Sequence, residues 1–404
     1  MIRDFDIIVV GGGINGQFMS FTAANAGFSV ALIDKNKIIE DGLREFDGRA
    51  YAIAFSSVQM MKNLKLWEKI GGNAQPISNI KVSHGTLERG PASANLQFNN
   101  ADIEESPMAQ MLEDRFLRQC LNVKIKQNTL IDLIEQKKIN EIIDMGKYKQ
   151  LTLDNGSKLQ ASLIVASDGI NSPSAKAFGI KKTGWKYKQR GLVCAIEHEY
   201  LSDNTAYQYF LPEGPLAILP INKNTASIVW TESTQNALTI SDMNDSQYLS
   251  LLRNRFGDFL GELKLTGKRI SFPLKLSISE KYVADKFAVI GDAAHGYHPI
   301  AGQGLNAGMR DIAALVDVIS CARERGEDFS SINVLDRYQE WRRFDNQALG
   351  FATDNLNKIF SSYNPLVGSL KNLGLKMVEK SNYAKRAFMR QAAGLNGELP
   401  KLMR

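Results

Sequence analysis

The chain has 404 residues, with 49 Lys and Arg against 43 Asp and Glu, 44% hydrophobic and 23% charged. This composition excludes a disordered chain and gives enough length for two or more domains. The net charge of +6 is concentrated in residues 366–404, which hold eight basic and two acidic side chains. The preceding 365 residues are balanced, which excludes a nucleic-acid binder with a basic folded face.

Residues 5–10 (FDIIVV) form an apolar run of buried-strand length, 17–26 fit a helix that Gly27 stops, and 29–34 (SVALID) form a second strand. The glycines between them, Gly11-x-Gly13-x-x-Gly16, lie at a strand-to-helix turn. The first permits the tight turn, the second lets a pyrophosphate approach the backbone, and the third allows close helix–strand packing. Asp34 closes the second strand, 23 residues after Gly11, where a carboxylate can accept ribose hydroxyls. An acid there repels a ribose phosphate, so this β-α-β unit reads as a site for FAD or NAD and not NADP.

Residues 77–100 and 122–165 look strand-rich, with a turn at Asp154-Asn155-Gly156 between strands 150–153 and 158–160. Residues 163–166 are a further buried strand, ending at Asp168-Gly169. Between 191 and 231, short strand-like runs broken by Glu213-Gly214-Pro215 and 222–224 predict an antiparallel sheet. Residues 287–291 return to the buried-strand type, followed by Asp292 and a loop with Pro299, Gly302, Gln303, Gly304, Leu305 and Asn306. Everything after about residue 305 reads as helical. A carboxylate at a strand end, such as Asp292, suits polyol hydroxyls, and a glycine-rich loop opening a helix offers amides to a partly anionic ring edge.

The predicted fold is therefore α/β. A Rossmann-like FAD-binding domain is built discontinuously from 1–76, 101–183 and 281–345. A mainly antiparallel substrate-domain sheet (77–100 and 184–280) is inserted into it, and a helical C-terminal region spans 346–404. Asp292, His295 and His298 are spaced D-x-x-H-x-x-H, but no third dedicated ligand accompanies them and no metal site is assigned. The cysteines Cys120, Cys194 and Cys321 are far apart and form no CxxC pair, which suits a reducing, intracellular setting. There is no apolar run of membrane-spanning length and no signal-peptide pattern.

In this order and spacing the three motifs resemble the class A flavoprotein aromatic hydroxylases, with the fold of para-hydroxybenzoate hydroxylase. More closely, the chain resembles the ubiquinone-biosynthesis hydroxylases, the UbiH-like group. The resemblance is carried by Asp47-Gly48-Arg49-Ala50, Trp185-x-Tyr187-x-Gln189, residues 210–220 (FLPEGPLAILP), Val229-Trp230-Thr231, Phe272-Pro273-Leu274 and the run GDAAHGYHPIAGQGLN. Thr353-Asp354-x-Leu356 and Asn372-Leu373-Gly374-Leu375 continue it. There are departures: Ala175, followed by Lys176, and Lys371 stand where the family often has arginine. The first bears on nicotinamide handling or local packing.

The resemblance implies FAD as cofactor, NAD(P)H as a transient co-substrate, and O2 used to hydroxylate the ring of a polyprenyl phenol. It implies that Gly11, Gly13, Gly16 and Asp34 hold the ADP half of FAD, that Arg49 and Arg115 border it, and that Asp292 binds its ribityl or phosphate part. Gly302, Gln303, Gly304, Leu305 and Asn306 surround the ring system. Asp168 supports the flavin site or caps a strand end. Tyr207, Tyr209, Phe210, Pro299 and Ile300 are candidates for lining the substrate site, and no catalytic residue is assigned. The expected setting is cytoplasmic, in a multi-enzyme complex or homo-oligomer. In the tail, Leu366, Leu370, Leu373, Met377, Ala384 and Phe388 fall at spacings of three, four and seven and predict one apolar helical stripe. Two readings of the basic region 366–404 stay open: a helix packed on the domain with a solvated basic face, and a surface for the anionic inner membrane or for partner proteins. Two alternatives stay open: hydroxylation of a soluble aromatic, and a non-catalytic assembly protein of the same pathway.

Overall fold

In the computed structural model the described residues are 2–38, 43–86, 90–91, 96–100, 107–200, 202–361 and 374–404. The first strand, Ile2–Val10, lies between Val30–Ile33 on one side and Lys158–Ala166 on the other, parallel to both. Ile131–Ile134 extends the sheet beyond Val30–Ile33, and Phe287–Val289 pairs with the far end of Lys158–Ala166. Ile7, Ile8 and Val9 are buried whichever face they point to, because helices cover both sides of a parallel sheet. The helix Ile14–Asn25 is buried nearly all round. It packs against the sheet and against the helices Asp114–Gln127 and Gly304–Glu324, so its small and apolar residues show no solvent face.

A second, nine-stranded sheet is mainly antiparallel, ordered from His295–Gly296 through Leu263–Ser279, Lys182–His198, Thr225–Ser233, Gly214–Pro220 and Thr205–Leu211 to Asn79–Thr86. The pairing of Thr205–Leu211 with Asn79–Thr86 is parallel. The helices Thr234–Asp242 and Asp245–Phe256 cover one face and share a core with Leu192, Ile196, Trp230 and Tyr248. A small sheet of Ala50–Ala54, Ala109–Glu113 and Gln75–Ile77 stands beside the two large ones.

Two sequence expectations change. The stretch 122–165 is not all strand, since Asp114–Gln127 is an amphipathic helix. The apolar stripe expected along the tail is only partly within the described residues: Leu366, Leu370 and Leu373 lie outside them, as do Lys371 and Asn372 of the family-like phrases. Of the rest, Met377 and Phe388 are exposed rather than packed. The helix Asn382–Ala392 starts afresh at Ser381, whose side chain accepts the Ala384 amide, and residues beyond it run as turns to a short final 3-10 helix.

The long helix Ile332–Phe360 is joined to Gly304–Glu324 through a buried carboxylate, Asp311. Asp311 accepts hydrogen bonds from Arg342 Nε (2.9 Å) and Asn346 Nδ2 (3.1 Å) on the long helix. It also accepts the Gly291 amide (3.1 Å) and pairs with His295 Nε2 (2.6 Å) in the loop after the last parallel strand. Burial alone would raise its pKa, but His295, Arg342 and Asn346 hold it down to about 2. Its folded pKa is thus below the ordinary carboxylate value of ~3.9, so its contribution to stability is present above about pH 4 and is lost as pH falls through about 2. Urea unfolding followed from neutral to acid pH should show wild type losing its advantage over Asp311→Asn across that window. A constant difference between the two would contradict it.

Candidate active site

A single cavity of about 1630 Å³ runs from the glycine turn after the first strand to the C-terminal helix Asn382–Ala392. Pockets for one drug-sized ligand are ~300–1,000 Å³, so there is room for a dinucleotide and a second molecule. At one end Gly11, Gly13, Ile33 and Asp34 form the wall, and at the other Val82, Phe98, Phe388 and Met389 do.

The glycine turn is built as its spacing predicts. Gly11 has φ +105°, and a Cβ there would lie 2.6 Å from the Ser167 carbonyl oxygen. A Cβ at Gly16 would overlap the Gly11 carbonyl oxygen, so the helix closes on the turn only with glycine. Gly13 differs: its backbone is ordinary (φ −65°), and a Cβ would meet nothing within 4 Å. The open side is the cavity. Gly13 caps the helix Ile14–Asn25 without a side-chain hydrogen bond, and no acid stands in the first turn. Amides at the positive helix end are therefore available to an anion. The Asp34 carboxylate accepts the amides of Gly12 and Asn36, both at 2.7 Å, which aims it along the rim of the turn.

Asp168 and Asp292 both reach the wall from strand ends. Asp168 caps the helix Pro173–Ala177, taking the Ser174 amide (3.0 Å) and the Ser172 hydroxyl. Asp292 is open to the cavity interior yet ringed by protein atoms. Desolvation therefore holds its carboxyl above the usual range, against the pull of His295 and Lys182. Lys182 donates to the Ile170 carbonyl (2.9 Å), and burial with repulsion from Lys275 brings it down to about 8. Gly302, in the left-handed region at φ +59°, turns the loop into the helix Gly304–Glu324. The side chain of Asn306 clasps the neighbouring strand, accepting the Ala54 amide (2.9 Å) and donating to the Ala52 carbonyl (2.8 Å). Gly302, Gln303, Gly304, Leu305 and Asn306 all contribute to the wall.

Arg49 and Arg115 are not brought into the wall. Arg49 is held by Asp47 (2.6 Å) and lies 3.5 Å from Asp114, while Arg115 pairs with Glu113 (2.6 Å) and sits over Phe116. The helix Asp114–Gln127 supplies Arg118 instead, steadied by Asp114 at 2.7 Å. Of the candidates for lining the substrate site, Tyr207, Pro299 and Ile300 line the cavity. Tyr209 packs into the core under the second sheet, and Phe210 stacks on Phe360.

Sequence reading missed Asn15 and met His298 only in the D-x-x-H-x-x-H spacing, without a role at the cavity. Asn15 projects into the wall because Gly291 and Gly308 leave it room, since a Cβ on either would collide with its amide; its Oδ1 has no partner among the described residues. The signal was present as two glycines on other elements, but only the fold puts them beside Asn15. His298 is buried against Tyr187, with both ring nitrogens unpaired, and burial lowers its pKa to about 4, so it is neutral.

The amide-lined turn and the rim carboxylate fit the phosphates and ribose of a dinucleotide. The FAD binding domain family matches residues 4–349. The chain belongs to that family. FAD is its cofactor, and the protein is an FAD-dependent oxidoreductase. It is 34% identical to ubiquinone hydroxylase UbiL of Rhodospirillum rubrum, over 99% of this chain and 92% of that protein. It is 30% identical to 3-demethoxyubiquinol 3-hydroxylase of Escherichia coli, over 96% and 98%. Among solved structures, p-nitrophenol 4-monooxygenase PnpA of Pseudomonas putida DLL-E4 superposes with a TM-score of 0.81 at 16% identity, covering 98% of this chain and all of that one, which establishes the fold.

Gly13 offers a clean test of where the phosphates lie. Gly13→Ala fits the backbone and removes chain freedom in the unfolded state, so thermal stability should hold or rise slightly. Its methyl group enters the space left for the cofactor, and FAD affinity measured by fluorescence titration should fall about tenfold or more. Unchanged affinity would place the phosphates elsewhere.

Proposed function

We propose that this protein hydroxylates the aromatic ring of a polyprenyl phenol in ubiquinone biosynthesis, with NAD(P)H as electron donor and O2 as oxidant. The observation that carries this reading is one continuous cavity whose glycine-turn end is polar and whose far end is apolar. The full-length similarity to two ubiquinone-pathway hydroxylases supports it. Bound FAD, once reduced, supplies the oxygen chemistry.

The chain's own residues bind, orient and exclude water. Amides of the turn Gly11–Gly16 receive the phosphates, and Asp34 accepts the adenosine ribose hydroxyls. Asp292 meets the polyol chain, and Asp168 braces the loop beside it. Gly302, Gln303, Gly304, Leu305 and Asn306 frame the ring system, with the amide end of the helix Gly304–Glu324 toward it. Arg49 acts one layer out, 3.5 Å from the Asp114 carboxylate that steadies Arg118, and Arg115 braces Glu113 at the start of the same helix. The discontinuous cofactor domain (1–76, 101–183, 281–345), the substrate sheet (77–100, 184–280) and the C-terminal region 346–404 divide the labour accordingly. His298, being neutral, adds no charge against an apolar substrate. Placement of the ring, more than any single acid or base, would then decide which carbon is oxidised.

The basic region fits a peripheral site at the cytoplasmic face of the inner membrane, alone or within a multi-enzyme assembly. Among the described residues no helix is long and apolar enough to cross a membrane. Lys376, Lys380 and Arg386 are exposed, as are Met377 and Tyr383, on the helices 374–380 and Asn382–Ala392.

Complementation of strains each blocked at one ring-hydroxylation step should restore ubiquinone in one or more, read by mass spectrometry of the intermediates. Failure in every strain, with turnover of soluble phenols by the purified protein, would move the activity to another substrate class. Replacing Lys376, Lys380 and Arg386 with glutamine should reduce co-flotation with anionic vesicles while leaving FAD content intact. Unaltered flotation would assign the charge to another role.

A further inference from the structure

The strand Thr205–Leu211 has two different faces. Tyr209 and Leu211 turn into the core beneath the helices Thr234–Asp242 and Asp245–Phe256, with Ile218, Ile228 and Trp230. Ala206 and Gln208 turn the other way, into the cavity. On that face Gln208 belongs to a row that crosses four strands. It stands opposite Val82 on one side and Ala217 on the other, and Ala217 stands opposite Val229. The neighbouring positions on this face are Ile80, Ala206 and Leu219. All seven residues line the cavity, and Gln208 is the polar one among them.

A carboxamide set in an apolar surface costs free energy unless something hydrogen-bonds it. Gln208 Nε2 is buried and has no partner among the described residues. The residue as a whole is only half-buried, so part of its side chain stays open to the cavity. Buried donors without a partner are rare in native structures and call for a functional explanation. Other polar side chains along this part of the wall are already engaged or buried. Thr353 donates to the carbonyls of Leu349 (3.0 Å) and Gly350 (3.1 Å), and Gln391 accepts from Asn396 (2.7 Å). His298 is 2% exposed and packs on Tyr187.

We propose that Gln208 holds the ring hydroxyl of the substrate and is the residue by which the cavity distinguishes a phenol from a ring without oxygen. This inference rests on the proposed hydroxylation of a polyprenyl phenol. The amide donates to the hydroxyl oxygen through Nε2 or accepts from the hydroxyl through Oε1. The short side chains of Ala206 and Ala217 beside it leave space for the ring. A neutral amide takes no proton, so the role is recognition and placement. Anchoring the oxygen on the sheet limits which ring carbons turn toward the loop Gly302–Asn306, which bounds the same cavity.

The test compares a polyprenyl phenol with the polyprenyl benzene of the same chain length. Binding to the FAD-loaded full chain, without NAD(P)H, is read from the absorption spectrum of the bound flavin. Wild type should bind the phenol about tenfold or more tighter, since a site built to hydrogen-bond a hydroxyl rejects the analogue that lacks it. Gln208→Met keeps the length of the side chain and removes both polar atoms. It should bring the ratio below about threefold by weakening the phenol and leaving the hydrocarbon unchanged. Gln208→Leu should reproduce this, and FAD content and thermal melting report on the folding of each variant. A ratio kept in the folded variants, equal weakening of both compounds, or a wild type that binds the two alike would overturn the role of Gln208. If wild type binds neither compound, the assignment of a polyprenyl phenol as substrate fails first, and the role of Gln208 fails with it.

Discussion

One buried carboxylate holds the cavity together. Asp311 is fully buried and engages four groups from two other pieces of chain: the Gly291 amide and His295 from the loop after the last parallel strand, and Arg342 and Asn346 from the long helix. Removing one partner of such a network leaves a charge uncompensated in the interior, which typically costs about 3–5 kcal/mol. The consequence is positional. Asp292 sits next to Gly291, and Leu349, Ala352 and Leu356 of the long helix form part of the wall. The Asp292 carboxylate and the long helix that lines the cavity are thus referred to the same point.

A second set of ties joins the long helix to the antiparallel sheet. The Tyr187 hydroxyl donates to Asp354 (2.8 Å), and Asn357 donates to Gln189 (2.9 Å). Lys358 completes the cluster, pairing with Asp354 at 2.6 Å and lying over Trp185. Two phrases that look unrelated along the chain, Trp185-x-Tyr187-x-Gln189 and Thr353-Asp354-x-Leu356, prove to be two halves of one contact. With Asp311 on one side and this cluster on the other, the long helix joins the loop after the last parallel strand to the antiparallel sheet, and it lines the cavity between them.

The division of the cavity into a polar and an apolar end follows from the kinds of element that build it. The polar end is made of strand ends and helix starts, where backbone amides are not used by secondary structure. The apolar end is made of strand faces and a helix face, where only side chains project. A ring held between the two ends meets fixed dipoles on one side and a surface that excludes water on the other, which is the environment oxygen transfer from a flavin requires.

What the amino-acid sequence determined by itself was local. Gly11, Gly13 and Gly16 at a strand-to-helix turn, Asp34 at the next strand end, and the glycine loop before residue 304 each act through backbone conformation within a few residues, so spacing alone exposes them. The apolar strand runs were legible for the same reason. The tertiary structure decided everything that depends on elements meeting. It gave Asn15 its space beside Gly291 and Gly308, kept Arg49 and Arg115 on nearby carboxylates while Arg118 entered the wall, and turned Phe388 toward Phe98 across 290 residues of chain. A side chain's partner is chosen by packing and electrostatics in three dimensions, and no local spacing encodes that choice.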